Sequence, residues 1–416
     1  MTDTARTPLA VFERHESNVR SYCRDFPVVF ERAAGHQLWD TSGRRYVDLL
    51  CGAGSLNYGH NPPAIVEKVT AYLTAGGPVQ SLDLHTAAKA DFLERFTSLV
   101  LEPRGLGDHV VQFPGPAGTL AVEAALKLAR KVTGRTEVIA FTGGFHGASL
   151  GALAATTSPL LRGAAGVPLT DVTLLPYGDA HGAVAALEHA GAAAPPAAIL
   201  LETVQGEGGL HTAPRPWLAR IRELADTTGA LVIVDDIQAG CGRTGTFFSF
   251  EDAPELHPDL VCLSKSLSGM GLPMAALLIR RDIDRWAPGE HNGTFRGHNL
   301  AFVAGSAALD HWTDPHFTDH VAELTTAIRT SLASITDALP VGAAEVVGKG
   351  AMSGLRFPTP ATAERIRQAL FRACIVAETS GSGHVLKLLP PLTISLTEWK
   401  NVADTLGETV KVLAAA

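Results

Sequence analysis

The chain has 416 residues, 46% of them hydrophobic and 18% charged, and a formal net charge of -8. That length supports a sizeable core in one large domain plus a smaller one, and the negative balance argues against nucleic acid or an anionic membrane as partner. Five cysteines, odd in number and without a C-x-x-C pair, argue against a disulfide framework or a zinc ribbon. With neither a signal-like N-terminus nor an apolar run of membrane-span length, a cytoplasmic protein is expected.

Residues 35–48 read as a hairpin, Gln-Leu-Trp-Asp and Arg-Arg-Tyr-Val-Asp alternating on either side of Thr-Ser-Gly, and are assigned to the smaller domain. Helical and strand patterns then take turns: residues 121–132 helical, 138–141 and 172–175 strand, 183–190 helical, 198–202 strand, 217–227 helical, then strands at 231–235, 260–263 and 275–279. Such alternation predicts an α/β fold with a mostly parallel sheet covered on both faces, and sheets of that kind bind ligands at the carboxyl ends of their strands. Helical stretches at 300–312 and 318–339 follow, and shorter alternating pieces at 351–357 and 385–389 predict a C-terminal α+β unit. The Ala-rich residues 180–196 read as a surface helix and loop rather than a linker.

Lys265, in Leu-Ser-Lys-Ser-Leu-Ser-Gly, lies thirty residues after Asp235, which ends the apolar run Leu-Val-Ile-Val-Asp. A lysine amine can condense with the aldehyde of pyridoxal phosphate (PLP), and a buried carboxylate can keep the pyridine nitrogen protonated. Gly118 and Thr119, in a Gly-Pro-Ala-Gly-Thr turn ahead of a helix, suit a phosphate. Phe145 and His146 follow a strand and two glycines, where a flat side chain can stack on an aromatic ring; Glu202 and Glu207 follow another strand and call for a cationic partner.

Two further patterns compete. Residues 240–245 match G-x-G-x-x-G but neither follow their strand directly nor open a helix, so a dinucleotide site is rejected. Gly147-Ala148-Ser149-Leu150-Gly151 matches the nucleophile elbow of serine hydrolases, the rival reading from another class. Against it, five residues separate Gly147 from the strand, whereas an elbow is a sharp strand-to-helix turn.

Taken together, the motifs resemble class III aminotransferases, PLP enzymes of fold type I. Within that family they resemble the diaminobutyrate–2-oxoglutarate transaminases of ectoine-pathway type. The blocks at residues 12–24, 56–61, 113–119, 235–245 and 289–297 carry the likeness. It implies a large domain with a mostly parallel seven-stranded sheet and a smaller α+β domain built from both termini, divided as residues 1–75, 76–310 and 311–416. It also implies PLP held by Lys265 with Asp235 at its ring nitrogen, Gln238 at its ring hydroxyl, Gly118 and Thr119 at its phosphate, and Phe145, His146 and Glu202 around it. Thr294 is implied to reach the phosphate from the neighbouring subunit of a homodimer. Glu207 and Lys387 would sort substrates, Lys387 standing where relatives keep an arginine. Arg24 is a candidate for a second carboxylate contact, because Ala148 stands where ornithine-type relatives keep another arginine. Ala117, Leu120 and Met270 also depart from the pattern. The expected reaction moves an amino group between L-glutamate and L-aspartate 4-semialdehyde; another ω-amine of a specialised pathway is the alternative. Amino acids and 2-oxo acids are the expected small-molecule partners, and no metal is expected.

Overall fold

The computed structural model describes residues 9–178, 182–193 and 195–414. Its central sheet has seven strands in the spatial order His109–Gln112, Ala276–Arg280, Leu260–Leu263, Leu231–Asp235, Ala198–Leu201, Val138–Phe141 and Val172–Leu175. Ala276–Arg280 runs antiparallel to both its neighbours, while the ladders from Leu260–Leu263 to Val172–Leu175 are parallel. The reversal follows from the connection: residues 264–275 hold a single 3-10 turn, Lys265–Ser268, and no helix long enough for a parallel crossover.

Four of these strands are buried along their whole length, and the pleat sorts their side chains to two faces. Ile139, Phe141, Ile199, Leu201, Val232, Val234, Val261 and Leu263 pack with Phe92, Phe96 and Trp217 on one side. Val138, Ala140, Ala198, Leu200, Ile233, Leu260 and Cys262 pack on the other, against the helix Gly118–Thr133. That helix presents seven buried residues, mostly alanine, so it approaches the sheet closely. Gly134, at φ +68°, ends it in a conformation that suits glycine.

A second apolar cluster joins Leu49, Tyr58 and Ile65 to Phe317, Leu324, Leu355, Ile366, Leu386 and Trp399, so both ends of the chain build the smaller α+β unit. Its first sheet contains the expected hairpin, Gln37–Asp40 with Arg45–Asp48, flanked by Phe30–Ala34 and, in parallel, by Ile375–Val376. Its second sheet has the order Glu345–Lys349, Met352–Arg356, Val385–Leu388 and Glu378–Ser380. The helices Pro63–Thr74, Ala87–Phe96 and Leu396–Ala414 and the strand His109–Gln112 add to the elements the sequence patterns give. The Ala-rich stretch contains the helix Ala183–Ala193; the rest of it falls partly outside the described residues. Among the described residues no helix is long and apolar enough to cross a membrane.

Candidate active site

At the carboxyl ends of the strands Val138–Phe141, Ala198–Leu201 and Leu231–Asp235 lies a cavity of about 290 Å³. Gly118, Thr119, Phe145, His146, Glu202, Glu207, Asp235, Gln238 and Lys265 line it, so nine residues separated by up to 147 positions in sequence share one chamber. A larger, shallow groove between the helices Pro315–Asp337 and Leu396–Ala414 includes none of them.

Asp235 is the last residue of its strand, delivered to the cavity floor with 4% exposure. One oxygen meets His146 Nδ1 at 2.7 Å and the other accepts from the Ile237 amide at 3.2 Å. Burial disfavours the His146 cation, but the Asp235 carboxylate outweighs it and leaves the imidazole above its ordinary pKa. Glu202 accepts from the amides of Gly206 and Phe145 at 3.0 and 3.1 Å, which fixes the turn carrying Phe145. Burial, with Asp235 adding to it and His146 opposing, pushes the Glu202 carboxyl up to about 7.

Lys265 opens its 3-10 turn at φ +49°, a left-handed conformation uncommon outside glycine. Ser266 braces the turn, donating to Gly54 O at 2.9 Å and accepting from Asn57 N at 3.0 Å. The amine donates to Ala53 O at 2.9 Å, and burial, aided by the Lys387 charge, lowers its pKa to about 8. Gln238 donates to the same Ala53 O at 3.0 Å and to Glu207 Oε1 at 3.3 Å; its own Oε1 is buried without a protein partner.

These residues fit PLP. The unpaired Gln238 Oε1 asks for a hydroxyl donor inside the cavity. The helix beginning at Gly118 has its N-terminus at the cavity, which Gly118 and Thr119 line, and a helix N-terminus with free first-turn amides suits a phosphate. A Cβ at Gly118 would stand 2.9 Å from Ile237 Cδ1, and one at Gly147 would collide with Thr119, so both glycines keep this cradle open.

Lys387 enters from the strand Val385–Leu388 and is fully buried, its ammonium 2.9 Å from Glu207 Oε1 and 3.0 Å from Glu378 Oε1. Tyr22 donates to Glu378 Oε2 at 3.1 Å. Both Glu378 and Tyr22 escape a motif reading, because only the fold brings them to Lys387 and to each other. Burial opposes the charges here, yet Lys387 stays above its ordinary pKa because of Glu378 and Glu207, and Glu207 stays below its own because of Lys387.

Three expected residues do not line the cavity: Lys387, which touches it through Glu207, and Arg24 and Thr294. Arg24 is exposed and donates to Arg20 O and Asn18 O of its own segment, at 2.9 and 3.1 Å. Its place beside the cluster is taken by Tyr22, two positions earlier on the same helical turn. Thr294, in the 3-10 turn Thr294–Arg296, does not line this chain's cavity, and its carbonyl accepts from Gln80. Of the five departures noted in sequence, Ala117 and Ala148 line the cavity, whereas Leu120, Met270 and Lys387 do not.

The hydrolase pattern dissolves in the structure. Ser149 caps the helix Leu150–Ala155 with extended backbone, φ -74° and ψ 149°, instead of a strained elbow. Its hydroxyl meets Thr119 Oγ1 at 2.5 Å and Glu123 Oε1 at 2.6 Å, so it is paired with an acceptor and a second hydroxyl rather than with a histidine base. In the G-x-G-x-x-G segment, Arg243 is fully buried and serves packing, donating to Asn57 Oδ1, Ala351 O and Pro390 O.

Comparison with known proteins bears on the same chamber. The chain is 46% identical to the diaminobutyrate–2-oxoglutarate transaminase of Halalkalibacterium halodurans over 98% of both chains, and 49% identical to an uncharacterized aminotransferase of Sinorhizobium fredii over 97% of this chain and 92% of that one. In structure it is similar to the ornithine aminotransferase of Toxoplasma gondii, whose active site holds PLP at partial occupancy, with a TM-score of 0.86 at 26% identity, covering 97% of this chain and 93% of that one. A transaminase from the marine bacterium Virgibacillus shares the fold with a TM-score of 0.87 at 21% identity, covering 97% and 98% of the two chains. Residues 20–410 match the family described as aminotransferase class-III, and the chain belongs to it.

Proposed function

We propose that this protein moves an amino group between L-glutamate/2-oxoglutarate and L-2,4-diaminobutyrate/L-aspartate 4-semialdehyde, as a cytoplasmic homodimer of the kind that serves ectoine synthesis. The observation that carries the reading is the convergence of Lys265, Asp235 and the unpaired Gln238 carbonyl on one cavity, in a chain nearly half identical to transaminases that bear this substrate name. The cofactor is pyridoxal 5'-phosphate. When bound it supplies an aldehyde that takes up the amino group and a protonated ring that absorbs the electron pair left on the substrate carbon.

The chain's own residues do the rest. Asp235, kept in place by His146, holds negative charge for the ring nitrogen, and Gln238 offers its free carbonyl to the ring hydroxyl. Gly118 and Thr119 cradle the phosphate, and Glu202 orients the backbone of Phe145 beside the ring. Lys265, with a pKa of about 8, has a substantial neutral fraction near physiological pH, so its amine can take a proton from the substrate carbon and return it. Lys387 receives the α-carboxylate of glutamate, and Glu207 masks or releases it so that a distal amine can enter instead.

Thr294 belongs in this reading to the phosphate site of a second copy. Support comes from Val79, Leu82, Leu84 and Phe295, exposed apolar side chains on two segments joined by the hydrogen bond from Ser81 N to Gly297 O. We divide the chain as residues 1–75, 76–310 and 311–416, supported by the cluster that ties Leu49, Tyr58 and Ile65 to the C-terminal elements. The five unpaired cysteines support a reducing compartment.

The test is borohydride reduction of the holoenzyme with peptide mapping, joined to product analysis. Label on Lys265 and formation of L-glutamate from diaminobutyrate only when 2-oxoglutarate is added are expected. Label on another residue, or turnover indifferent to the oxo acid, overturns the proposal.

A further inference from the structure

Glu378 sits directly across from Lys387 in the antiparallel ladder of Glu378–Ser380 with Val385–Leu388. The strand register thus holds this carboxylate against the ammonium at 3.0 Å, while Glu207, on a loop lining the cavity, reaches the same ammonium at 2.9 Å. The two strand residues are nearly sealed from solvent, with exposures of 5% for Glu378 and none for Lys387. Lys387 Nζ lies 3.0 Å from Glu378 Oε1, an oxygen that makes no hydrogen bond, and the Tyr22 hydroxyl donates to Oε2; the nearby ammonium and this hydrogen bond favour the ionised form. Burial, with the Glu207 charge adding to it, acts the other way and leaves its pKa raised. Two carboxylates therefore share one ammonium.

We propose that Glu378 is a positioning residue that determines specificity: it remains on Lys387 whatever Glu207 does, so the ammonium is never a bare cation, which disfavours dicarboxylate substrates and favours those with a second ammonium group. The proposal rests on the reading of Glu207 and Lys387 as the residues that sort substrates. With Glu207 in place, the triad carries a net negative charge that suits a distal ammonium. With Glu207 withdrawn, a neutral Lys387–Glu378 pair remains, and an incoming α-carboxylate meets the two N–H donors that Glu378 leaves spare instead of a full charge. An ammonium has three donors, so it can serve two carboxylates and a substrate in turn.

The test compares Glu378→Gln with the parent holoenzyme, using L-glutamate and L-2,4-diaminobutyrate in single half-reactions followed by absorbance, and glutarate, an unreactive dicarboxylate, by direct binding. Glu378→Gln should bind glutamate and glutarate about tenfold more tightly and diaminobutyrate about tenfold more weakly, with the rate at saturation changed by less than about twofold. Glu378→Asp should restore the parent preference. If Glu378→Gln does not fold, Glu378→Ser, which also removes the charge, must shift the affinities in the same two directions. Unchanged affinities, or a parallel loss for both substrates, overturns the proposal. Glu207→Ala separates the layers: if it shifts the preference and Glu378→Gln does not, only this inference fails; if neither does, the reading of Glu207 and Lys387 fails with it.

Discussion

A buried lysine amine is where the chemistry of this chain meets its stability. Lys265 is charged in the unfolded chain up to its ordinary pKa near 10.5, but in the folded apoprotein it loses its proton near pH 8 because burial and the Lys387 charge oppose the ammonium. A lowered pKa means that the unfolded state binds more protons between about pH 8 and 10.5, so this group costs the fold most below pH 8 and progressively less above it. Lys265→Met should therefore stabilise the apoprotein at pH 7 by on the order of 1 kcal/mol, discounted for the partial exposure of the side chain, and the gain should fade as pH rises toward 10.5. Urea unfolding at pH 7 and pH 10 checks it; a gain that does not fade removes the titration of Lys265 as its cause.

Among the elements, the helix Gly118–Thr133 and the strand Leu231–Asp235 would place the cofactor's two ends in the proposed reading, because one begins and the other stops at the cavity. Gly118→Ala puts a methyl 2.9 Å from Ile237 Cδ1 at the floor of the phosphate cradle. We expect it to weaken PLP binding about tenfold, measured by fluorescence titration of the apoprotein, with the apoprotein's melting temperature little changed. Retained affinity would show that Ile237 yields without narrowing the cradle.

The strands Leu231–Asp235 and Ala198–Leu201 were legible in the sequence for one reason. Leu-Val-Ile-Val-Asp and Ala-Ile-Leu-Leu are continuous apolar runs, and only a strand buried on both faces needs them. The strand Phe30–Ala34, with its burial shared between half-exposed and exposed positions, carries no comparable pattern, and the helix Pro63–Thr74 buries only Ile65 fully. Lys387 was legible through its family position, but its second carboxylate was not, because Glu378 is made its neighbour by a hairpin register that no local motif encodes. Arg24, a cation close in sequence to Tyr22, folds back on carbonyls of its own segment, a contact that no motif announces.

Across the whole molecule, Arg243 connects the large unit to the smaller one. Its guanidinium, fully buried and lowered to about 10 by that burial, donates to Asn57 Oδ1, Ala351 O and Pro390 O, so three distant segments meet on one side chain. Methionine would fill much of the volume but leave those acceptors unpaired. Arg243→Met should lower the unfolding free energy by about 3 kcal/mol, read from denaturant melts of the apoprotein. A loss below about 1 kcal/mol would mean that the acceptors find other partners.

The Lys387 strand pairs in a sheet distinct from the one that carries Asp235 and precedes Lys265. In the proposed reading, Lys265 and Asp235 belong to one sheet and its connection while Lys387 and Glu378 belong to another, with Glu207 joining the two from the cavity. Substitution within the hairpin 378–388 would then retune which amine is accepted without moving Lys265 or Asp235.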